Sequence, residues 1–319
     1  MRFRLSRWVM AGLLVGGLGG AVAISPVLGA PRVVAARPAS AQQWQVQIGA
    51  ESPDRAVQML QYFPAAITVN VGDTISWTNP TAEIHTVTFL APDQDRPEFD
   101  RADPQQEQAQ GSAQLDGSGY LNSGVLETGK TWAVTATQPG TYSYICLVHR
   151  QQFGTVVVNA ADAPAEQPQD AAVVASAVAA PVIAEWQPAI AAYQPTVRAR
   201  PDGTREFVVS GGMGDAAAAV MRFTPQALEV RVGDTVTWDN ADVETPHTIT
   251  FGPIQGPPTQ PWGDPSRFDG NGPLSSGYFG KNWPGGETYS VTFTTPGQFS
   301  YICILHAPAL MIGSVAVAP

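Results

Sequence analysis

The segment PGQFSYICILHAPALMIGSVAV, residues 296–317, decides how the chain is read. Pro296 and Gly297 mark a turn, and Phe299, Tyr301 and Cys303 then share one face of an alternating strand. His306 follows three residues after Cys303, Met311 five beyond that, and Gly313 leads into a second strand-forming run, SVAV. One strand end and one loop therefore deliver a thiol, an imidazole and a thioether. An earlier segment, PGTYSYICLVHRQQFGTVVV at 139–158, repeats the plan with Cys146 and His149 but without the methionine. Aligned on Gly154 and Gly313, Gln152 stands where Met311 does; Gln151 would shift that alignment by one.

The repetition extends through the chain. FPAAITVNVGDTISWTN (63–79) matches TPQALEVRVGDTVTWDN (224–240), IHTVTF (84–89) matches PHTITF (246–251), and DGSGYLNSG (116–124) matches DGNGPLSSG (269–277). Order is kept, so one domain-sized unit occurs twice. Within each copy the hydrophobic period is two. Ile67, Val69 and Val71 alternate, Gly72-Asp73 turns the chain, and Ile75 and Trp77 resume. Short strands with regular turn signals and no convincing helical period predict an all-β chain of two Greek-key β-sandwiches in tandem, at 42–160 and 204–319. Residues 161–203, rich in Ala and Pro, read as a semi-stiff linker, with the Val/Ile stretch 172–184 available to add a strand or pack between domains. DGSG and DGNG resemble calcium loops but lack the remaining ligand spacing, and read as glycine turns. Met59 and Met221 read as core residues.

Residues 1–41 hold five arginines, no acid, and an apolar run from Trp8 to Ile24, the pattern of an export signal; an uncleaved membrane anchor is the alternative. Either places the body outside the cytoplasm, in the periplasm or at the cell surface. No other segment reads as a span. The remainder carries 12 bases against 27 acids, a net charge of about −15 that excludes nucleic acid as a partner and favours basic redox partner proteins.

The chain has four histidines and two cysteines, and they divide equally: His85, Cys146 and His149 in copy one, His247, Cys303 and His306 in copy two. A thiolate with two neutral imidazoles is the trigonal set of a blue-copper site, completed by a weak axial Met or Gln. Met311 and Gln152 are the candidate axial ligands. A Cys146–Cys303 disulfide would leave four aligned histidines without a role. Zinc suits the His₂Cys set but not an axial methionine.

The VGDT-x-x-W turn, the H-T-x-T-F strand and G-x-[YF]-S-Y-I-C-x-x-H resemble those of cupredoxins, the type 1 blue-copper domains of the plastocyanin, amicyanin and auracyanin kind. The resemblance implies two coppers per chain, one held by His85, Cys146 and His149 and the other by His247, Cys303 and His306 with Met311 axial. Gln152 departs from the common pattern and resembles the axial residue of stellacyanin-like sites. The implied function is exported electron transfer. Two-domain nitrite reductases and laccases also duplicate this fold, but they need further histidines for their additional copper, and here every histidine is assigned. Copper storage or delivery would call for exchangeable Met/His clusters, which the sequence lacks. Ile304, Leu305, Ala307, Pro308 and Leu310 flank His306, and part of them is expected to form an exposed apolar docking patch around its imidazole, the alternative being that they pack inward as a lid over the copper.

Overall fold

The computed structural model describes residues 40–164, 166–306 and 310–319; the predicted signal or anchor lies outside them. Copy one contains β1 Gln43–Glu51, β2 Val57–Phe63, β3 Ala66–Asn70, β4 Thr74–Thr78, β5 Thr88–Phe89, β6 Gln114–Leu115, β7 Leu121–Asn122, β8 Thr131–Ala136, β9 Gly140–Ile145 and β10 Phe153–Asn159, with one helical turn, α1, at Pro104–Glu107. A helix α2, Ala171–Ala192, leads to β11 Thr196–Ala199. Copy two then supplies β12 Arg205–Gly214, β13 Ala218–Val220, β14 Ala227–Arg231, β15 Thr235–Asn240, β16 Thr250–Phe251, β17 Leu274–Ser275, β18 Thr288–Thr292, β19 Gly297–Ile302 and β20 Ile312–Ala318.

Each copy is a sandwich. In copy one the sheet β2-β1-β4-β8-β6 faces β3-β10-β9-β5-β7; in copy two β13-β12-β15-β18 faces β14-β20-β19-β16-β17. Alternation fills the space between the layers. Trp77 is fully buried and meets Phe89 and Tyr144 edge-on; Trp238 does the same with Phe251 and Tyr301. The repeated VGDT has a local cause. Gly72 and Gly233 take φ of 98° and 90°, a region only glycine enters freely. Asp73 then accepts from the Gln42 and Asn70 amides and the Trp44 indole, and Asp234 accepts from the Arg205 and Arg231 amides. The two DG turns are closed by Asp116 accepting from the Ser118 amide and Asp269 from that of Asn271. Met59 and Met221 are buried in apolar clusters.

The copies are not beads on a string. Strand β13 pairs antiparallel with β2, joining the first sheets into one ten-stranded sheet. The register is Ala218 with Met59, Ala219 with Gln58 and Val220 with Val57. By the repeat alignment (Phe63-Pro64 with Thr224-Pro225), Gln58 and Ala219 are equivalent positions, so equivalent strands meet about a pseudo-twofold axis. Backbone bonds from Leu60 N to Ala217 O (3.0 Å) and from Met221 N to Ala56 O (2.8 Å) extend the seam symmetrically. Arg222 also reaches Asp54 at 3.1 Å.

The stretch read as a linker is largely helical. Asp170 caps α2 by accepting from the Ala172 and Val173 amides, and alanine, the best helix former, dominates it. Ala171, Ala175 and Ala179 lie on one face, are buried, and let the helix settle on β1 and β2; Ala175 and Ala179 join Val57 and Met59 of copy one and Ala218 of copy two in one cluster. Pro181 and Pro188 and the near-uniform apolarity hide this helix from a periodicity reading. By length and composition it is apolar enough to cross a membrane, which corrects the expectation that nothing beyond the N-terminus is; in the fold it packs against the seam.

Ala219 has no exposed surface. Ala219→Glu puts an unpaired charge into the seam and should cost about 2–4 kcal/mol. Calorimetry of the wild type should show one cooperative transition, and the variant should show two as the copies unfold separately.

Candidate metal centres

In each copy the loop that leads into a short strand, β5 in copy one and β16 in copy two, meets the loop after the cysteine strand, bringing His85 to Cys146 and His149, and His247 to Cys303 and His306. Cys146 N donates to Gln152 O at 2.9 Å and Cys303 N to Met311 O at 3.0 Å, closing both ligand loops at the same point. Strand pairing agrees: Tyr144 lies opposite Gly154, and Tyr301 opposite Gly313. Gln152 and Met311 are therefore structural equivalents despite the two-residue difference in loop length. Gln152 is buried, whereas Gln151 is exposed and gives its amide to Glu244 of copy two at 2.9 Å.

The donor atoms converge. In copy one Gln152 Oε1 lies 2.8 Å from His85 Nδ1 and 3.2 Å from His149 Nδ1, and Cys146 Sγ lies 3.6 Å from His149 Nδ1. In copy two His247 Nδ1 and His306 Nδ1 are 3.2 Å apart, with Cys303 Sγ 3.2 Å from His306 Nδ1 and 3.8 Å from His247 Nδ1. Such spacings belong to atoms that share one metal at about 2.0–2.3 Å. Both cysteines are free and buried, and both His/Cys/His groups are buried throughout. Met311 is fully buried in the core cluster that holds Cys303. Two nitrogens, a thiolate and either a thioether or an amide oxygen fit copper.

Residues outside the ligand set hold it in place. Thr86 N donates to Cys146 Sγ at 3.4 Å and Thr248 N to Cys303 Sγ at 3.3 Å. Their hydroxyls accept from the Leu147 and Ile304 amides, each at 2.8 Å, which explains the threonine after each histidine in H-T-x-T-F. Asn79 donates to the carbonyls of Glu83 and Leu126, and Asn240 to those of Thr245 and Phe279, fixing the segment before each first histidine. The sequence reading passed over both, although they end the matched stretches WTN and WDN. Arg96, also unanticipated, donates to the carbonyls of Cys146, Leu147 and Arg150 and so clamps the copy-one ligand loop.

Charge follows the same geometry. Burial pushes the Cys146 thiol up, but the His149 and His85 imidazoles outweigh it and hold the group well below its ordinary value. Burial likewise raises Cys303, and His306 with the Thr248 amide brings it down. Both favour the thiolate that a metal requires.

Among the described residues, the docking patch expected around His306 is not a fully open surface. His306 is 4% exposed and His149 1%. The seam turns the two ligand loops toward each other, and the rings face Glu83, whose Oε2 is 3.8 Å from His149 Nε2 and whose Oε1 is 3.7 Å from His306 Nε2. Leu310 is buried, and Ala307 and Pro308 lie outside the described residues. Leu147, Val148, Ile304 and Leu305 instead line a cavity of about 550 Å³ between the copies, which both imidazoles border.

The family model of copper-binding proteins, plastocyanin/azurin family, matches residues 50–159 and 211–318. Chloroplastic plastocyanin of Hordeum vulgare is 32% identical over 102 residues, 32% of this chain and 58% of its own length. Amicyanin-alpha of Methylorubrum extorquens is 30% identical over 106 residues, 33% of this chain and 72% of its own. Solved amicyanin variants align over 37% of this chain and 82% of theirs at 25% identity and a TM-score of 0.26.

Gly212 lies against the His247 ring and the Asn240 side chain, with no room for a Cβ. Gly212→Ala should displace His247 and weaken metal binding in copy two by about 10–100-fold while sparing copy one. Cobalt(II) titration, following the thiolate charge-transfer band, would show one tight and one weakened site.

Proposed function

The chain belongs to the plastocyanin/azurin family of copper-binding proteins, and on that premise we propose that it is an exported electron carrier with one type 1 copper in each copy, and not an enzyme. The observation that carries this reading is the convergence of two buried His/Cys/His groups with Gln152 and Met311 at equivalent positions. When bound, copper supplies a one-electron couple. The protein supplies the rest: rigid strands and clamped loops hold the donors in place, so that little rearranges when charge at the site changes, and burial excludes water.

The copies differ in one donor. The Gln152 amide oxygen is harder than the Met311 thioether and favours the oxidised metal, so copy one is the more reducing site. Exchange with outside proteins takes place across the apolar cavity bordered by His149 and His306. The acidic body steers basic partners from a distance, while on the cavity wall Arg96, Arg101 and Arg150 offset Glu83, Glu98, Asp100 and Glu244. Location in the periplasm or at the cell surface, free or tethered, is proposed from the N-terminal sequence alone.

Cys146→Ser and Cys303→Ser should each lower the copper count from two to one per chain and remove one component of the intense visible absorption. A full spectrum in the double variant would overturn the assignment. Gln152→Met should raise the potential of the copy-one site toward that of copy two in a spectroelectrochemical titration. An unchanged potential would show that Gln152 is not a ligand.

A further inference from the structure

Glu83 is 95% buried in a position where a carboxylate is costly unless it has partners. Among the described residues, no hydrogen bond reaches either of its carboxylate oxygens. What they face are the outer edges of two imidazoles, His149 Nε2 at 3.8 Å and His306 Nε2 at 3.7 Å. These contacts are longer than hydrogen bonds and too short to admit a water between. The inner edges of the same two rings, their Nδ1 atoms, point into the donor groups of copy one and copy two. One carboxylate thus closes a chain of groups from one centre to the other: His149 ring, Glu83, His306 ring.

The repeat does not produce this arrangement by itself. At the position equivalent to Glu83 copy two has Thr245, whose buried hydroxyl has no partner. Glu83 is held on its own side by Asn79, which donates to its carbonyl at 2.6 Å. The backbone that carries the carboxylate is therefore fixed from copy one, and the side chain lies between His149 of that copy and His306 of the other.

We propose that Glu83 is an electron relay between the two metal centres, making the chain a coupled pair and not two independent carriers. The inference rests on the two-copper reading above. With Nδ1 committed to the metal, each Nε2 would carry its proton within 4 Å of a Glu83 oxygen, so a single side chain lies between the two ring edges. One electron leaves the more reducing Gln152 site and one enters the Met311 site; the first is oxidised, the second reduced, and no proton is gained or lost. The shared negative charge also stabilises the oxidised state at both sites, which lowers both potentials together.

Glu83→Gln tests this. An amide can accept from only one imidazole and turns an N–H₂ toward the other, so one link breaks while volume is kept. In copper-loaded protein, flash reduction with a ruthenium photoreductant should show internal electron exchange slowed roughly tenfold or more relative to wild type, with the visible spectrum and copper count intact. Both potentials should rise. Unchanged internal exchange, or potentials that stay fixed, would overturn the relay. If the variant does not fold, pulsed dipolar EPR of the oxidised wild type decides: a resolved copper–copper coupling supports the paired arrangement, and two isolated spectra refute it. Fewer than two coppers per wild-type chain would instead overturn the two-site reading.

Discussion

Everything in this molecule that involves both copies depends on the antiparallel pairing of β2 with β13. A few backbone hydrogen bonds, made between equivalent strands about a pseudo-twofold axis, turn two sandwiches into one sheet. Such pairing fixes register as well as proximity, because a one-residue slip would send every side chain to the opposite face. The position of each ligand loop relative to the other is therefore set by sheet geometry, and α2 covers the same seam from outside. The free edge that a lone copy would present to solvent is used up in the same contact.

The metal centres were legible in sequence because their chemistry is sparse and local. Cysteine and histidine are rare here, each falls at a matching place in both copies, and strand alternation fixes which way Cys146 and Cys303 point. The equivalence of Gln152 and Met311 followed from one glycine and a hydrophobic run, and the strand register places them alike. The sandwiches were legible for a related reason: period-two patterning and repeated VGDT turns are signals contained within a few residues.

What was not legible depends on contacts between distant segments. Helix α2 gave no periodic signal, since alanine faces and valine faces are both apolar and two prolines interrupt the pattern. The seam strand β13 is three residues of Ala-Ala-Val, with nothing to distinguish it from a buried turn. Glu83 looked like one more acid in an acidic chain. Its meaning comes from His306, more than two hundred residues away, and from a seam whose partners are apolar and common. That the apolar residues around His306 border a cavity between the copies was hidden on the same ground: a loop that is apolar around a histidine is equally suited to a partner protein and to the other half of its own chain.

The mismatch of Glu83 with Thr245 has a consequence for how such a chain can arise. A symmetric dimer of copy-one units would bring two carboxylates to the axis, where their repulsion and double burial oppose assembly. A symmetric dimer of copy-two units would bring two Thr245 hydroxyls to the place where Glu83 stands. One carboxylate between two imidazoles requires that the two halves be different, and covalent linkage in a single chain guarantees one of each. Fusion therefore does more than raise local concentration. It allows the two halves to diverge at one position and keeps that divergence in a one-to-one ratio, which no mixture of separately made subunits would maintain.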